Sequence, residues 1–255
     1  MIEALSYETP RRKPFARSMT QAALARPVRV RLKKAILSVC FDDFPVSAAT
    51  TGAAALERVA ARGTFYACAG LMGETGAAGK LFGAEDLRRL ALAGHEIGCH
   101  THTHMNCARE HEADVLSACA LNAIDLSLLG AEKPVRSLAY PYGETTKALK
   151  FALPRDFTTA RGQTPGLNAG RADLAHLKAF RFYGWRALEP LLKQLERADR
   201  LGAWMIVFTH DVAAEPSPWG VPTGALGKLL LRARELKLNI LPIADAANRV
   251  MAEQN

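Results

Sequence analysis

Four short groups of residues in this chain of 255 could do chemistry together if the fold brought them to one place. The first is His100-Thr101-His102-Thr103-His104, which holds three of the seven histidines. Histidine is the commonest metal ligand, and a separation of four lets His100 and His104 converge on one ion from a tight loop or a single helical turn. His102 then points elsewhere and is given no ligand role. The second is the pair Asp42-Asp43. Along a continuing strand two adjacent carboxylates point to opposite sides, whereas in a turn both can face one cavity. A polar loop with Asp as a turn former is the plainer alternative. The third is His210-Asp211, where His210 leaves an apolar run and is a candidate general acid or base, or simply a capping histidine. The fourth is Tyr140-Pro141-Tyr142-Gly143, a sharp loop whose backbone N–H groups could face a substrate oxygen, or a tight turn and no more. His95 and His111 are read as structural.

Such groups need rigid elements to aim them, and the chain supplies an alternation of two patterns. Short apolar runs predict strands over residues 35–41, 63–69, 95–98, 135–140, 157–160, 178–182, 204–209 and 239–242. Longer amphipathic stretches predict helices over 48–62, 84–93, 110–129, 145–152, 186–201, 225–237 and 243–251. In residues 186–201, for example, Leu188, Leu191, Leu192 and Leu195 recur at helical spacing. Strands and helices taking turns imply crossovers and a largely parallel sheet. This order suits a barrel, regular or not, better than an open sheet. Parallel barrels place their chemistry where strands end and loops begin, and each of the four groups follows a predicted strand.

Composition bounds the rest. Hydrophobic residues make up 49% and charged residues 23%, which excludes fibrous and wholly disordered readings. No apolar run approaches the roughly 18 residues of a membrane-spanning helix. Nine basic residues between Arg11 and Lys34, set against Glu3 and Glu8, give residues 1–34 a net +7 of the total +8. The body is therefore near neutral, and the basicity belongs to an N-terminal arm. That arm could favour an anionic surface or a lipid-linked precursor through residues 11–34; a solvated leader partly packed on the domain is the plainer reading. No nucleic acid is expected. The arm lacks the apolar core and small-residue cleavage site of a secretory signal. Five cysteines without a CxxC pair argue against a zinc ribbon or a thioredoxin-type motif, and a cytoplasmic location is expected.

Taken in order, VCFDDF (residues 39–44), GTFYACAG (63–70), GHEIGCHTHTH (94–104), LAYPYG (138–143) and IVFTHD (206–211) resemble the motifs of the polysaccharide deacetylase family of carbohydrate esterases, the NodB-homology domain. The resemblance spans about residues 35–245. It implies an α/β fold, a single distorted (β/α) barrel over residues 35–255 preceded by the arm of residues 1–34. It also implies that Asp43, His100 and His104 bind a divalent metal, usually zinc. Asp42 would be the general base and His210 the general acid, with the backbone N–H of Tyr142 in the oxyanion hole.

The resemblance has two departures. Phe44 stands where the family often has glycine, and is expected to narrow the cleft beside the metal. Ala139 stands where the third motif often carries an arginine paired with the catalytic aspartate. Arg161, in TTARG (158–162), could supply that charge from the following strand; a surface arginine is the alternative. Trp185 and Asp173 are the only candidates for remnants of a fourth motif.

The implied activity is removal of an acetyl or other acyl group from an N-acyl amino sugar or glycan. A small-amide hydrolase of the same family and a non-catalytic glycan- or metal-binding relative are the alternatives. Oligomeric state is not readable from the sequence.

Overall fold

The computed structural model describes residues 14–131, 133–153 and 157–254. The basic residues Arg11, Arg12 and Lys13 of the arm lie outside them. The centre is a parallel sheet of eight strands: β1 (Ile36–Phe41), β2 (Thr64–Ala67), β3 (Glu96–Cys99), β4 (Ser137–Ala139), β5 (Thr159–Arg161), β6 (Phe180–Arg181), β7 (Trp204–Thr209) and β8 (Asn239–Ile240). The order is β6-β7-β1-β2-β3-β4-β5, with β8 also on β1. Every residue of β1 and β7 is buried. That is why both read as largely apolar runs: a parallel strand is covered on both faces.

The sheet curls into a distorted barrel. β7 pairs with all six residues of β1, from Ile36 opposite Trp204 to Phe41 opposite Thr209. The other edge of β1 is shared, by β8 at Ile36 and Leu37 and by β2 at Cys40 and Phe41. Among the described residues no strand pairing joins β5 to β6. Instead the backbone of Leu174 and Leu177 hydrogen-bonds along the outer edge of β5, through Ala160 N–H to Leu174 O at 2.7 Å and Gly162 N–H to Leu177 O at 3.0 Å.

Alternation along the strands divides the core in two. Leu37, Val39, Phe41, Met205 and Val207 face the surrounding helices. Ile36, Cys40, Tyr66, Trp204, Ile206 and Phe208 face the other way, into the barrel. The helix Leu188–Leu201 buries Leu188, Leu191, Leu195 and Ala198 and ends at Gly202 in the left-handed region (φ 57). A Cβ there would lie 2.2 Å from Leu32 O, so glycine is required. The far end of the barrel is plugged by the helix Ile243–Ala252. Its first N–H groups bond Thr64 Oγ1 and Glu96 Oε2, each at 2.9 Å, placing a carboxylate at the positive end of the helix.

The helix expected over 48–62 is shorter and irregular. It opens with a π-helical turn (Ala48–Gly52) and continues as an α-helix only to Arg58. The strand expected over 178–182 contracts to Phe180–Arg181.

A pairing not expected from the sequence lies in the basic segment. Pro27–Val30 runs antiparallel to Gly170–Asp173. The helix before it (Pro14–Ala22) is tied down by Lys150, whose fully buried ammonium donates to Thr20 O (2.8 Å) and Ala23 O (2.6 Å) and pairs with Asp173 Oδ2 (2.9 Å). Asp173 also accepts the N–H groups of Ala25, Arg26 and Ala175. All five cysteines are free and buried. Among the described residues no helix is long and apolar enough to cross a membrane.

Candidate active site

The period of two that puts Ile36, Ser38 and Cys40 inside the barrel carries Asp42 to the next inward position at its mouth. The same step carries β3 on to His100 and β7 on to His210. Asp43 would then point outward, but its backbone is left-handed (φ 57), and the turn brings its carboxylate into the same cavity.

Asp43, His100 and His104 form a buried trio whose ligand atoms lie within 4.8 Å of one another. Asp43 Oδ1 is 3.7 Å from His100 Nε2 and 3.5 Å from His104 Nε2. These gaps exceed an ordinary hydrogen bond. They suit a shared cation, since two ligands each about 2.0–2.1 Å from a tetrahedral zinc stand roughly 3.3 Å apart. Nδ1 of His100 donates to Ala139 O at 2.7 Å, which leaves the Nε2 lone pair aimed at the centre. Burial pushes His104 down to about 4, so the ring is neutral and able to ligate. The donor set, two neutral imidazoles and one carboxylate, fits a catalytic divalent metal that keeps open positions.

Asp42, 1% exposed, accepts a hydrogen bond from the guanidinium of Arg161, which is fully buried. Arg161 lies opposite Ala139 in the β4–β5 ladder. Paired positions on adjacent strands share a face, so a charge from either position enters the same space. The guanidinium packs over the rings of Tyr66 and Phe208, at 5.0 and 4.8 Å. Burial alone would lower the pKa of Arg161, but Asp42 and the other partners outweigh it and the side chain stays charged.

His210 Nε2 is 3.7 Å from Asp43 Oδ2, and its Nδ1 is 3.2 Å from Trp219 O. Asp211 sets that carbonyl. Its carboxylate accepts Ser217 N–H (2.7 Å) and Ser217 Oγ–H (2.5 Å), tightening the loop that returns through Trp219. A Cβ on Gly220 would lie 2.3 Å from Asp211 Oδ1, so a larger residue there would push that carboxylate out of place. Trp219 was not singled out in the sequence; nothing local marks a carbonyl nine residues downstream as a partner. Tyr142 has φ 60, and its half-buried ring meets the His104 ring edge-on at 4.6 Å.

The fold brings Asp42, Asp43, His100, His104, Arg161 and His210 together, with Tyr142 beside them. The ring of Phe44 is fully buried and stacks on Phe82 at 4.5 Å. It therefore does not narrow the cleft, because the left-handed turn at Phe44 (φ 56) sends it into the apolar layer under the helices. Trp185 is 51% exposed beneath the Lys228 ammonium, and Asp173 is engaged with Lys150, so neither belongs to the site. His95 bridges Gly63 N–H and Glu57, while His102 pairs with Asp125 at 2.9 Å.

A family model described as polysaccharide deacetylase matches residues 29–155. No curated protein matches the chain. Among solved structures, a Mycobacterium smegmatis protein assigned to the polysaccharide deacetylases is similar over 91% of this chain and 95% of its own, with 16% identity and a TM-score of 0.66. A family 4 carbohydrate esterase from Streptomyces lividans, in complex with acetate, is similar over 82% and 92%, with 15% identity and a TM-score of 0.56. A Bacillus anthracis pseudoenzyme of carbohydrate esterase family 4 is similar over 85% and 66%, with 15% identity and a TM-score of 0.57. A mutant of that pseudoenzyme has restored enzymatic activity. At these identities the likeness is one of fold.

Proposed function

The chain belongs to the polysaccharide deacetylase family, hydrolases that act on acetylated carbohydrates, and on that premise we propose that it removes an acetyl group from an N-acyl amino sugar with a divalent metal, zinc as the first choice. The observation that carries this reading is the buried trio Asp43, His100 and His104, with Asp42 next to it in the chain and held by Arg161, and with His210 beside Asp43. Those three residues would hold the ion. When bound, it supplies Lewis acidity toward the acyl oxygen and lowers the pKa of water.

The remaining work falls to the chain. Asp42 takes the proton of the attacking water, and Arg161 fixes its carboxylate in a site with little water to do so. The Tyr142 N–H would donate to the oxygen on which charge develops. His210, its Nδ1 held by Trp219 O, donates from Nε2 to the departing nitrogen; an amine leaves poorly without that proton. Attack and departure each need their own proton carrier, and Asp42 and His210 would fill those two roles. A cytoplasmic location remains part of the proposal, supported by five cysteines all left as buried thiols.

The similarity to a pseudoenzyme favours one competing reading, a relative that binds glycan or metal without hydrolysis. The Arg161–Asp42 pair speaks against it, since a charge missing from position 139 is supplied across the ladder. Metal analysis combined with acetate release from N-acetylated oligosaccharides and small amides tests the proposal. A metal-loaded protein that releases acetate from none of them refutes it, and release from small amides alone makes it a small-amide hydrolase.

A further inference from the structure

A groove beside the catalytic face takes no part in the mechanism above. Its volume is about 600 Å³, within the roughly 300–1,000 Å³ of ordinary ligand sites. It opens over the seam between β5 and β6, between Gln21, Gln163 and Thr164 on one side and Phe180, Arg181 and Leu191 on the other. A second cavity of about 190 Å³ shares Gln21 and Thr164 with it and runs on past Lys178 and Arg171.

Two contacts join this groove to the catalytic centre. Gln163 packs so closely on Gly143, the neighbour of Tyr142, that a Cβ there would meet it at 2.7 Å. Tyr183, two residues beyond Arg181, lies against the His210 ring at 5.7 Å. Arg181 donates to Gln163 Oε1 at 3.1 Å and so spans the rim between them.

The chemistry of the walls is specific. Amides and a hydroxyl beside the flat faces of Phe180 and the neighbouring prolines suit a sugar ring, which is polar at its edge and apolar on its face. Charge adds a second condition. Arg171, Lys178 and Arg181 are all exposed along these walls. Among the described residues that line the two cavities the one acid, Asp173, is already paired with Lys150. Beyond residue 34 the chain carries a net charge of only +1, so three cations here are a local excess.

We propose that this groove is the subsite for the sugar next to the acylated one, and that this sugar carries a carboxylate. The substrate is then an acidic N-acyl oligosaccharide of at least two units, with Arg181 as its main specificity-determining residue. This rests on the hydrolase reading above and adds the class of substrate to it.

Acetate release from three N-acetylated disaccharides tests it: one with a carboxylate on the neighbouring sugar, one neutral there, and one bearing a phosphate. The metal-loaded full chain is compared with Arg181→Ala and Lys178→Ala, with a small aryl acetate as control. The carboxylated substrate should be favoured over the neutral one by about tenfold or more in kcat/KM, the scale of one charged hydrogen-bonded contact. Arg181→Ala should remove most of that preference through KM and leave the aryl acetate unchanged, and high salt should weaken it. Equal rates on neutral and carboxylated sugars, a preference that survives both substitutions, or a stronger preference for phosphate overturns the proposal. If nothing is hydrolysed, the hydrolase reading fails instead. Calorimetric binding of the carboxylated disaccharide, lost in Arg181→Ala, then still decides the groove.

Discussion

Arg161→Ala should disable the site, and adding Ala139→Arg to the same chain should bring part of it back. Asp42 and Arg161 are 1% and 0% exposed, so their pair is fully desolvated. Removing one member of such a pair costs about 3–5 kcal/mol. Against a total stability of about 5–15 kcal/mol this leaves the variant folded but weakened. At about 2–4 °C per kcal/mol, the melting temperature should fall by roughly 6–20 °C. The share of the loss felt at the reacting carboxylate is that of a charged hydrogen bond, about 1.5–3 kcal/mol, which is roughly 10–150-fold in kcat/KM. Positions 139 and 161 are ladder partners about 4.8 Å apart, so a guanidinium from 139 enters the same space between Tyr66 and Phe208. The swap should regain at least about tenfold over the single variant. Acetate release, metal content and thermal melts decide this together. The reasoning fails if Arg161→Ala keeps its metal and works within about threefold of the parent protein, or if a folded, metal-loaded swap is no better than the single variant.

Asp42→Asn should lose about 10²–10⁴-fold in rate while retaining metal, whereas His100→Ala should lose the metal itself; metal analysis of both separates the two roles. Lys150→Met should cost about 3–5 kcal/mol in denaturant unfolding, because it strands Asp173 and two backbone carbonyls; a loss under about 1 kcal/mol would contradict the network described. Burial raises the Asp173 carboxyl, but Lys150 and the Arg26 and Ala175 N–H groups more than offset this and hold it below the usual carboxylate value. Its contribution to stability is thus complete above the unfolded value of about 3.9 and lost as the pH falls below it, so Asp173→Asn should flatten acid unfolding in that range. Phe44→Gly should cost about 2–4 kcal/mol, the loss of a stacked ring less the relief of a left-handed backbone, with KM unchanged; a changed KM would put the ring back in the cleft.

Much of the barrel is legible from the sequence because parallel strands covered on both faces are mostly apolar, as Trp204–Thr209 and Ile36–Phe41 are. The site is legible for a related reason. Its groups follow those runs directly, and alternation fixes which way Asp42, His100 and His210 point. Segment 27–30 was missed although Val28, Val30 and Leu32 alternate with Arg29 and Arg31, a period of two hidden by reading the region as a charged arm. Its partner, Gly170–Asp173, lies some 140 residues away, and no local pattern specifies that pairing. The same holds for Lys150 and for the Trp219 carbonyl, whose roles depend on tertiary closure. Phe44 was misread because chain position beside Asp43 suggested the cleft, while the direction of its ring depends on a φ of 56.

Seven non-glycine residues among those described have a positive φ; two of them, Asp43 and His104, belong to the trio, and three more, Phe44, Thr101 and Tyr142, adjoin its members. Left-handed backbone at such residues costs of order 1–3 kcal/mol each and persists only where the surroundings over-determine it. The loops around the site are thus already wound into their working shape, like a spring set before use. A cation arriving there has no loop to order and no fold to complete, so its capture and release should be governed by the ligands themselves, and the empty protein should keep the contours of the loaded one.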